Sequence, residues 1–301
     1  MNSKLREQEV RKVARGVLRE LDLERLPVNP REIASRRDIE VRPWVSAKKG
    51  VSGFLMHSEG EFGIGFSTAM NNEGFENFTI GHELGHYFLD GHPEALLGSG
   101  VHYSRSGFLS GDRYEREADV FAAELLMPGD LVERELHRSD LGLAAAEAIA
   151  ELCNTSLTAA AIRYAEKSPD PVVVVMSEGE SVVWAIPSQA IRDYRSISWI
   201  RKGAPLPQSS ATYAFNGYPE NVELARRNER GCKLSDWLDG APAVDSVEEV
   251  VGLGHYGRTL TIVSTEVLEE SGARWGGDDE EEFGEEGDYI QRMRDGRFRR
   301  R

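Results

Sequence analysis

The chain has 301 residues, of which 40% are hydrophobic and 29% charged, and its formal net charge is −15. This length and balance indicate a globular protein of two or three domains, and the acidity argues against general nucleic-acid binding, which needs an excess of Lys and Arg. No apolar run approaches the roughly 20 residues of a membrane helix, and the N-terminus has no signal-peptide core, so we expect a cytoplasmic protein. Two cysteines, Cys153 and Cys232, are too few for a disulfide framework or a zinc site of four thiolates.

Hydrophobic periodicity, capping residues and prolines predict a mixture of helices and strands. The apolar spacing at the start of the chain indicates an amphipathic helix, which Pro27 ends. Ser58-Glu59-Gly60-Glu61 lies between two apolar runs and is typical of a hairpin turn. We predict helices over 3–25, 30–35, 77–89, 112–127, 140–152 and 157–167, strands over 39–45 and 51–66, and a loop over 94–111.

The composition changes after Pro169-Asp170-Pro171, which we interpret as a domain boundary. Beyond it, β-rich stretches at 172–176, 181–186 and 258–263 and helical stretches at 188–195 and 219–228 are typical of an α+β or α/β domain. From Gly276 the chain is charged and of low complexity, which predicts disorder. We therefore expect an α+β protein with domains over 1–136, 137–168 and 169–270 and a disordered charged tail over 271–301.

The sequence His82-Glu83-Leu84-Gly85-His86 lies inside the predicted 77–89 helix. Residues i and i+4 share one face of a helix, so His82 and His86 can present ring nitrogens to one ion, and zinc prefers such ligands. Glu83 lies beside that line, where a general base acts on activated water. Gly85 costs about 1 kcal/mol relative to Ala in a helix interior, which predicts the close approach of another element. The alternative is an ordinary helix with two partly exposed histidines.

The predicted 112–127 helix is the expected source of a third ligand. Glu115 and Asp119 share one face with two alanines that permit close packing, so Glu115 can reach the metal. Asp119, one turn further on, can accept the outer N–H of a zinc-bound histidine. Glu117 points elsewhere on an ideal helix and is expected to be solvated, but it remains the rival third ligand because the sequence does not define the preceding loop.

Two further parts of a peptidase site have weaker signals. An extended substrate could add through main-chain hydrogen bonds to a sheet edge formed by the 53–66 hairpin, although this hairpin could equally be a core strand pair. A peptidase also needs a donor for the oxyanion of the tetrahedral intermediate. Candidates for that donor are Tyr114 and His102 and, with nothing to choose among them, His57, His92 and Tyr103.

Two segments resemble the ImmA/IrrE metallopeptidases: residues 78–86 (FTIGHELGH) and residues 115–128 (EREADVFAAELLMP). The arrangement of the remaining chain is also similar to members of this family, which extends the resemblance to nearly all of the sequence. It implies a zincin-like (gluzincin) N-terminal peptidase domain, a helix-turn-helix-like segment over 137–168 and a GAF-like domain over 169–270.

The resemblance also implies an activity. His82, His86 and Glu115 would hold zinc, or manganese in its place, and Glu83 would act as the base. The implied substrate is a helix-turn-helix transcriptional repressor, DdrO-like, which is cut once to induce DNA-repair genes after radiation or desiccation. The C-terminal domain would receive an unidentified signal ligand, and we expect a monomer that does not contact membranes.

Two other classes of function compete with this interpretation. Residues 140–167 could form the helix-turn-helix of a DNA-binding transcription activator. The second of those helices, however, offers Arg163 and mostly apolar surface, whereas a recognition helix needs several side chains that reach bases and phosphates. The third class is a ligand sensor without proteolysis, whose pocket Trp184, Trp199 and Trp237 could line if they do not simply fill a core.

Overall fold

The structure, a computed structural model, describes residues 3–44, 50–105, 112–137, 141–266 and 268. Contacts within the chain divide it into two compact units of mixed α and β structure. Of the described residues, the first unit contains 3–132 and 149–160, and the second contains 133–148 and 161–268. No described helix has the length and apolar character to cross a membrane. The tail predicted over 271–301 lies outside the described residues.

The first unit surrounds a four-stranded sheet with helices. The strands follow the order β1-β3-β2-β4, in which β1 is parallel to β3 and the other pairs are antiparallel. The elements are α1 (Ser3–Glu20), α2 (Pro30–Ser35), β1 (Glu40–Trp44), β2 (Val51–Ser58), β3 (Glu61–Ser67), α3 (Glu73–Phe88), α4 (His92–Leu96), β4 (Val101–Arg105) and α5 (Arg113–Leu126).

Helices α3 and α5 pack closely because small residues line their contact. A Cβ atom built on Gly85 of α3 would lie 3.0 Å from the Cα atom of Ala118 in α5. One turn earlier, a Cβ atom on Gly81 would lie 3.4 Å from the Cβ atom of Ala122. The close approach predicted from Gly85 is therefore confirmed, and it brings the histidines of α3 within reach of the carboxylates of α5.

The 53–66 hairpin forms interior strands, so of the two interpretations left open by the sequence the structure supports the core strand pair and not the sheet edge. Strand β2 pairs with β3 along one side and with β4 along the other. The edge strand beside β2 is β4, which lies in the 94–111 segment that was predicted to be a loop. Helix α4 also begins in the turn before that segment. Both elements are short, and β4 depends on pairing with β2, which the sequence does not display.

The second unit is built on a five-stranded antiparallel sheet of order β6-β5-β9-β8-β7. Trp184 and Trp237 are buried in it and Trp199 packs against its core, so these rings fill the interior. The elements are β5 (Val172–Glu178), β6 (Ser181–Pro187), α9 (Gln189–Arg192), α10 (Ala211–Asn216), α11 (Pro219–Glu223), β7 (Arg227–Lys233), α12 (Leu234–Trp237), β8 (Asp245–Gly252), a 3₁₀ turn (Gly254–Tyr256) and β9 (Thr259–Ser264).

Three helices contain the points at which the chain passes from one unit to the other. They are α6 (Gly129–Leu136), α7 (Leu143–Cys153) and α8 (Leu157–Lys167), of which α7 and α8 confirm the predicted helix pair. Helix α8 is largely buried: Ala160, Arg163 and Tyr164 are each at most 1% exposed. Its predicted packing role is consistent with this burial.

Several predicted boundaries were wrong for local reasons. Helix α1 ends at Glu20 because Asp22 adopts the left-handed conformation, with φ 55°. Helix α3 begins at Glu73 because the Asn72 side chain accepts a hydrogen bond from the Phe75 N–H. The helix predicted over 219–228 stops at α11, and β7 begins in its place. Strands β7 and β8 were not predicted at all.

Candidate metal and peptidase site

Three side chains predicted as metal ligands converge between α3 and α5. The Nε2 atoms of His82 and His86 lie 3.0 Å apart, and the Glu115 carboxylate oxygens lie 3.4 Å and 3.3 Å from them. Ligands about 2.0 Å from a zinc ion in a tetrahedral site are separated by about 3.3 Å. The donor set therefore fits a small divalent cation in chemistry and in spacing, with the fourth position left for water or substrate.

The predicted partner of His82 is also in place. His82 Nδ1 donates to Asp119 Oδ1 over 2.8 Å, which directs Nε2 toward Glu115. Burial on its own lowers the pKa of His82, but its bonds to Asp119 and Glu115 outweigh this and raise the pKa well above the usual value.

The pKa values of the other two groups of this cluster are both lowered, for different reasons. Burial lowers the pKa of His86 to about 3 in spite of its contact with Glu115. Burial alone would raise the pKa of Glu115, but hydrogen bonds from His102, His82 and His86 hold it far below the usual range. Glu115 is thus an anion among nitrogen ligands, which is the charge state that a divalent cation requires.

Glu83 lies on the same helix in a different environment. Its side chain is fully buried, and neither carboxylate oxygen has a hydrogen-bond partner among the described residues. One oxygen lies over β2, only 2.9 Å from where a Cβ atom on Gly53 would be. Burial raises the pKa of Glu83 to about 7, against the opposing charge of His82 and the Ser104 hydroxyl, which lies near the carboxylate without a hydrogen bond of normal geometry. A carboxylate with a pKa near neutrality can both accept and return a proton.

The candidate oxyanion donors occupy different places. His102, on edge strand β4, bonds through Nε2 to Glu115 Oε1 over 2.8 Å, and its ring centroid lies 4.8 Å from that of His86. It therefore faces the cluster. Tyr114 packs its ring edge-on against His92, with centroids 4.9 Å apart, on the far side of His86 from Glu115. The structure brings His102 to the site and gives Tyr114 no contact with the ligand atoms.

Glu117 is buried, so the prediction that it is solvated was wrong. It accepts hydrogen bonds from His92 Nε2 over 3.1 Å, Arg113 Nε over 2.6 Å and Arg6 Nε over 2.9 Å. These three partners hold it away from the His82–His86–Glu115 cluster, which favours Glu115 over Glu117 as third ligand. The remaining candidates lie elsewhere: Tyr103 is exposed, and His57 stacks on Phe62.

The position of His92 behind His86 was not predicted from the sequence. This residue begins α4 and is fully buried, with its Nδ1 atom 3.0 Å from His86 Nδ1. A signal was present, because His92 follows His82 by ten residues, the spacing at which some zinc peptidases carry a third histidine ligand. Here the turn after Phe88 places His92 behind His86 rather than beside it, so it contacts the ligand and not the ligand position.

Residues 64–164 match the family model described as the IrrE N-terminal-like domain, Peptidase_M78. The match supports the resemblance to the ImmA/IrrE family. The matched segment contains all three candidate ligands and Glu83, and the family name indicates a metallopeptidase.

One relative is similar in sequence to part of the chain, and one solved structure aligns with most of it. "Uncharacterized immunity region protein 2" of Bacillus phage phi105 is 34% identical over 106 residues, which are 35% of this chain and 63% of that protein. The chain thus spans less than two thirds of this relative. A solved structure of a "Mycobacterium tuberculosis transcriptional regulator" aligns with a TM-score of 0.52 at 12% identity, over 88% of this chain and 82% of the other. At this identity the likeness concerns the fold alone.

Proposed function

We propose that this protein is a zinc-dependent endopeptidase that cuts a helix-turn-helix transcriptional repressor. The observation that carries the proposal is the convergence of His82, His86 and Glu115 at the spacing of zinc ligands, beside a buried carboxylate, Glu83, whose oxygens make no hydrogen bond of normal geometry within the described part of the chain. A buried carboxylate without hydrogen bonds destabilises a fold, so its presence next to a metal-binding set favours a chemical role.

Different residues of the site would perform different steps of peptide hydrolysis. A bound zinc ion supplies Lewis-acid activation of water and of the substrate carbonyl. Glu83 removes the proton of the attacking water and delivers it to the leaving amine, for which a pKa of about 7 is suited. His102 lies across the cluster from α3 and is the better placed of the two predicted donors to the developing oxyanion.

Edge strand β4 is the proposed binding site for the extended substrate. Among the described strands it pairs with β2 alone, so the other side of its backbone is available for main-chain hydrogen bonds. Side chains alternate between the two faces of a strand, and His102 and Ser104 point to the face that carries the cluster. A peptide added along β4 would therefore pass next to Glu83.

A transcriptional repressor is proposed as substrate on the basis of similarity. The ImmA/IrrE resemblance implies this class, and the phage relative is named for an immunity region. The finer proposal is that the chain acts like the Deinococcus radiation-response regulator IrrE and cleaves a DdrO-like repressor after radiation or desiccation. The GAF-like assignment of the C-terminal domain and its signal ligand remain predictions of the same kind.

Incubation of the purified protein with a purified DdrO-like repressor, followed by mass mapping, tests the proposal. We expect one cut, its loss with a chelator, and its return with zinc or manganese. Glu83→Gln should bind zinc and leave the repressor intact. Cleavage that persists in Glu83→Gln or in the chelated protein would remove the peptidase assignment.

A DNA-binding activator is the alternative that the same samples can test. The burial of Arg163 and Tyr164 in α8 leaves few side chains to reach base edges, which argues against a recognition helix there. A gel shift with operator DNA should therefore show no specific complex with the protein alone. A specific complex that forms equally well in the chelated protein would favour the activator.

A further inference from the structure

The two histidines of the candidate site are supported in different ways. His82 Nδ1 bonds directly to a carboxylate, Asp119. His86 Nδ1 bonds instead to a second histidine, His92, whose other ring nitrogen bonds to Glu117. His86 and His92 are both fully buried, so neither contact can be replaced by solvent. An arrangement of this kind holds the orientation of a ligand from outside the ligand set.

The hydrogen-bond directions along this series can be assigned from its far end. Glu117 is held by two guanidinium groups, those of Arg6 and Arg113, so its carboxylate oxygens act as acceptors. His92 Nε2 must then donate to it, and in a neutral ring His92 Nδ1 is left to accept. His86 Nδ1 therefore donates, which directs the lone pair of its Nε2 atom toward Glu115.

The far end of the series is fixed by two arginines from different helices. Arg6 Nε, in α1, bonds to Glu117 Oε2 over 2.9 Å, and its Nη2 atom lies 2.8 Å from the same oxygen. Arg113 Nε, at the start of α5, bonds to the other oxygen over 2.6 Å. Because Arg6 belongs to the N-terminal helix, the series runs from α1 through α5 and α4 to a metal ligand on α3.

We propose that His92 and Glu117 are positioning residues that set the orientation and tautomer of His86, and that Arg6 extends this support to the N-terminal helix. The proposal rests on the proposed function in one respect, that the cluster binds a divalent cation. Loss of a residue that orients a metal ligand typically weakens metal binding by roughly 10- to 100-fold. We expect losses in this range for His92→Ala, and smaller ones for Glu117→Gln and Arg6→Ala.

Zinc affinity of the full chain, measured by competition with a chromogenic chelator, is the direct test. Asn places a polar atom close to where His carries Nδ1, so His92→Asn can keep the bond to His86 and lose the one to Glu117. It should therefore bind zinc more tightly than His92→Ala. The visible spectrum of the cobalt-loaded protein reports ligand geometry and should change in His92→Ala, which a general loss of stability would not produce.

His57→Ala is the matched control, because it removes a histidine of the same unit that lies outside the cluster and should leave zinc affinity unchanged. Unfolding of each metal-free variant shows whether its fold is retained. If His92→Ala does not fold, the zinc affinities of His92→Asn and Glu117→Gln are compared with that of the wild type instead. Wild-type zinc affinity and an unchanged cobalt spectrum in the folded variants would overturn the proposal. Zinc binding without repressor cleavage by the wild type would instead count against the proposed function alone.

Discussion

Within the described residues, Glu83 of the first unit and Glu248 of the second have no exposed surface, and the two carboxylates differ in their partners. Glu248 of the second unit accepts hydrogen bonds from the N–H groups of Ala211 and Thr212 and from the Thr212 hydroxyl, over 2.9, 2.7 and 2.7 Å. Glu83 of the first unit makes no hydrogen bond of normal geometry among the described residues. The same residue type at the same burial is thus structural in one place and available for chemistry in the other.

The difference follows from the cost of burying charge. An ionised carboxylate loses its hydration on burial, and fixed donors must replace it. At Glu248 those donors come from the first residues of α10, whose N–H groups have no partner within the helix. At Glu83 no hydrogen bond of normal geometry replaces the water, and burial outweighs the nearby Ser104 hydroxyl and raises the pKa to about 7. Counting hydrogen-bond donors around buried acids therefore separates the two roles without reference to any motif.

The strongest prediction from this comparison concerns Glu83→Gln. Repressor cleavage should fall by about 10²- to 10⁴-fold, the usual contribution of general acid–base catalysis, because Gln cannot carry the proton. Zinc affinity should change little, since Glu83 is not among the converging ligand atoms. Single-turnover cleavage assays with zinc-saturated protein measure the effect. A rate within threefold of wild type would place the base elsewhere.

The matching change in the second unit should affect stability instead. Glu248→Ala leaves the three donors from Ala211 and Thr212 buried without an acceptor, and hydrogen bonds to a charged group contribute about 1.5–3 kcal/mol each. We expect a loss of about 3 kcal/mol or more in the free energy of unfolding, measured with denaturant on the metal-free protein. The zinc affinity of molecules that remain folded should be that of wild type. A neutral effect on stability would show that Glu248 is not a structural acid.

A third prediction concerns pH in the metal-free protein. Because the pKa of Glu83 is raised from 4.5 to about 7 in the folded state, the folded protein binds this proton more tightly than the unfolded chain. Its contribution to stability is therefore lost as pH rises from about 4.5 to above 7, by up to about 3 kcal/mol. Glu83→Gln cannot titrate, so its stability relative to wild type should increase between pH 5 and pH 8. An equal difference at both pH values would contradict the raised pKa.

The comparison also explains how much of this protein could be predicted from its sequence. The spacing of His82 and His86 is fixed by the helix itself, and the face shared by Glu115 and Asp119 follows from the same geometry. Strand β8 could not be predicted, because its inward positions include Ser246 and Glu248, so its apolar and polar residues do not alternate in the usual way. The buried acid Glu248, which has a structural role in the second unit, is therefore also a reason why β8 could not be recognised in the sequence.

The contacts of His92 and β4 escaped prediction for a different reason. Each depends on a neighbour far along the chain: His92 on Glu117, and β4 on its pairing with β2. Periodicity describes only local structure, so it predicted the histidines of α3 and missed what supports them. The sequence likewise does not show that His86 and Glu115, which are far apart along the chain, lie close together in space. The close approach of Gly85 and Ala118 in the structure explains it.

The smallest predicted effect removes a single donor from Glu248. Thr212→Val keeps the shape of the side chain and the backbone bond from its N–H, but it deletes the hydroxyl that bonds to Glu248 and to the Thr261 hydroxyl. We expect a loss of about 1–2 kcal/mol in the free energy of unfolding. Combined with Glu248→Ala, the same change should cost less than it does alone, because its acceptor is already gone. Additive losses in this double-mutant cycle would mean that Thr212 acts through Thr261, and that Glu248 depends on the backbone of α10 rather than on a set of three donors.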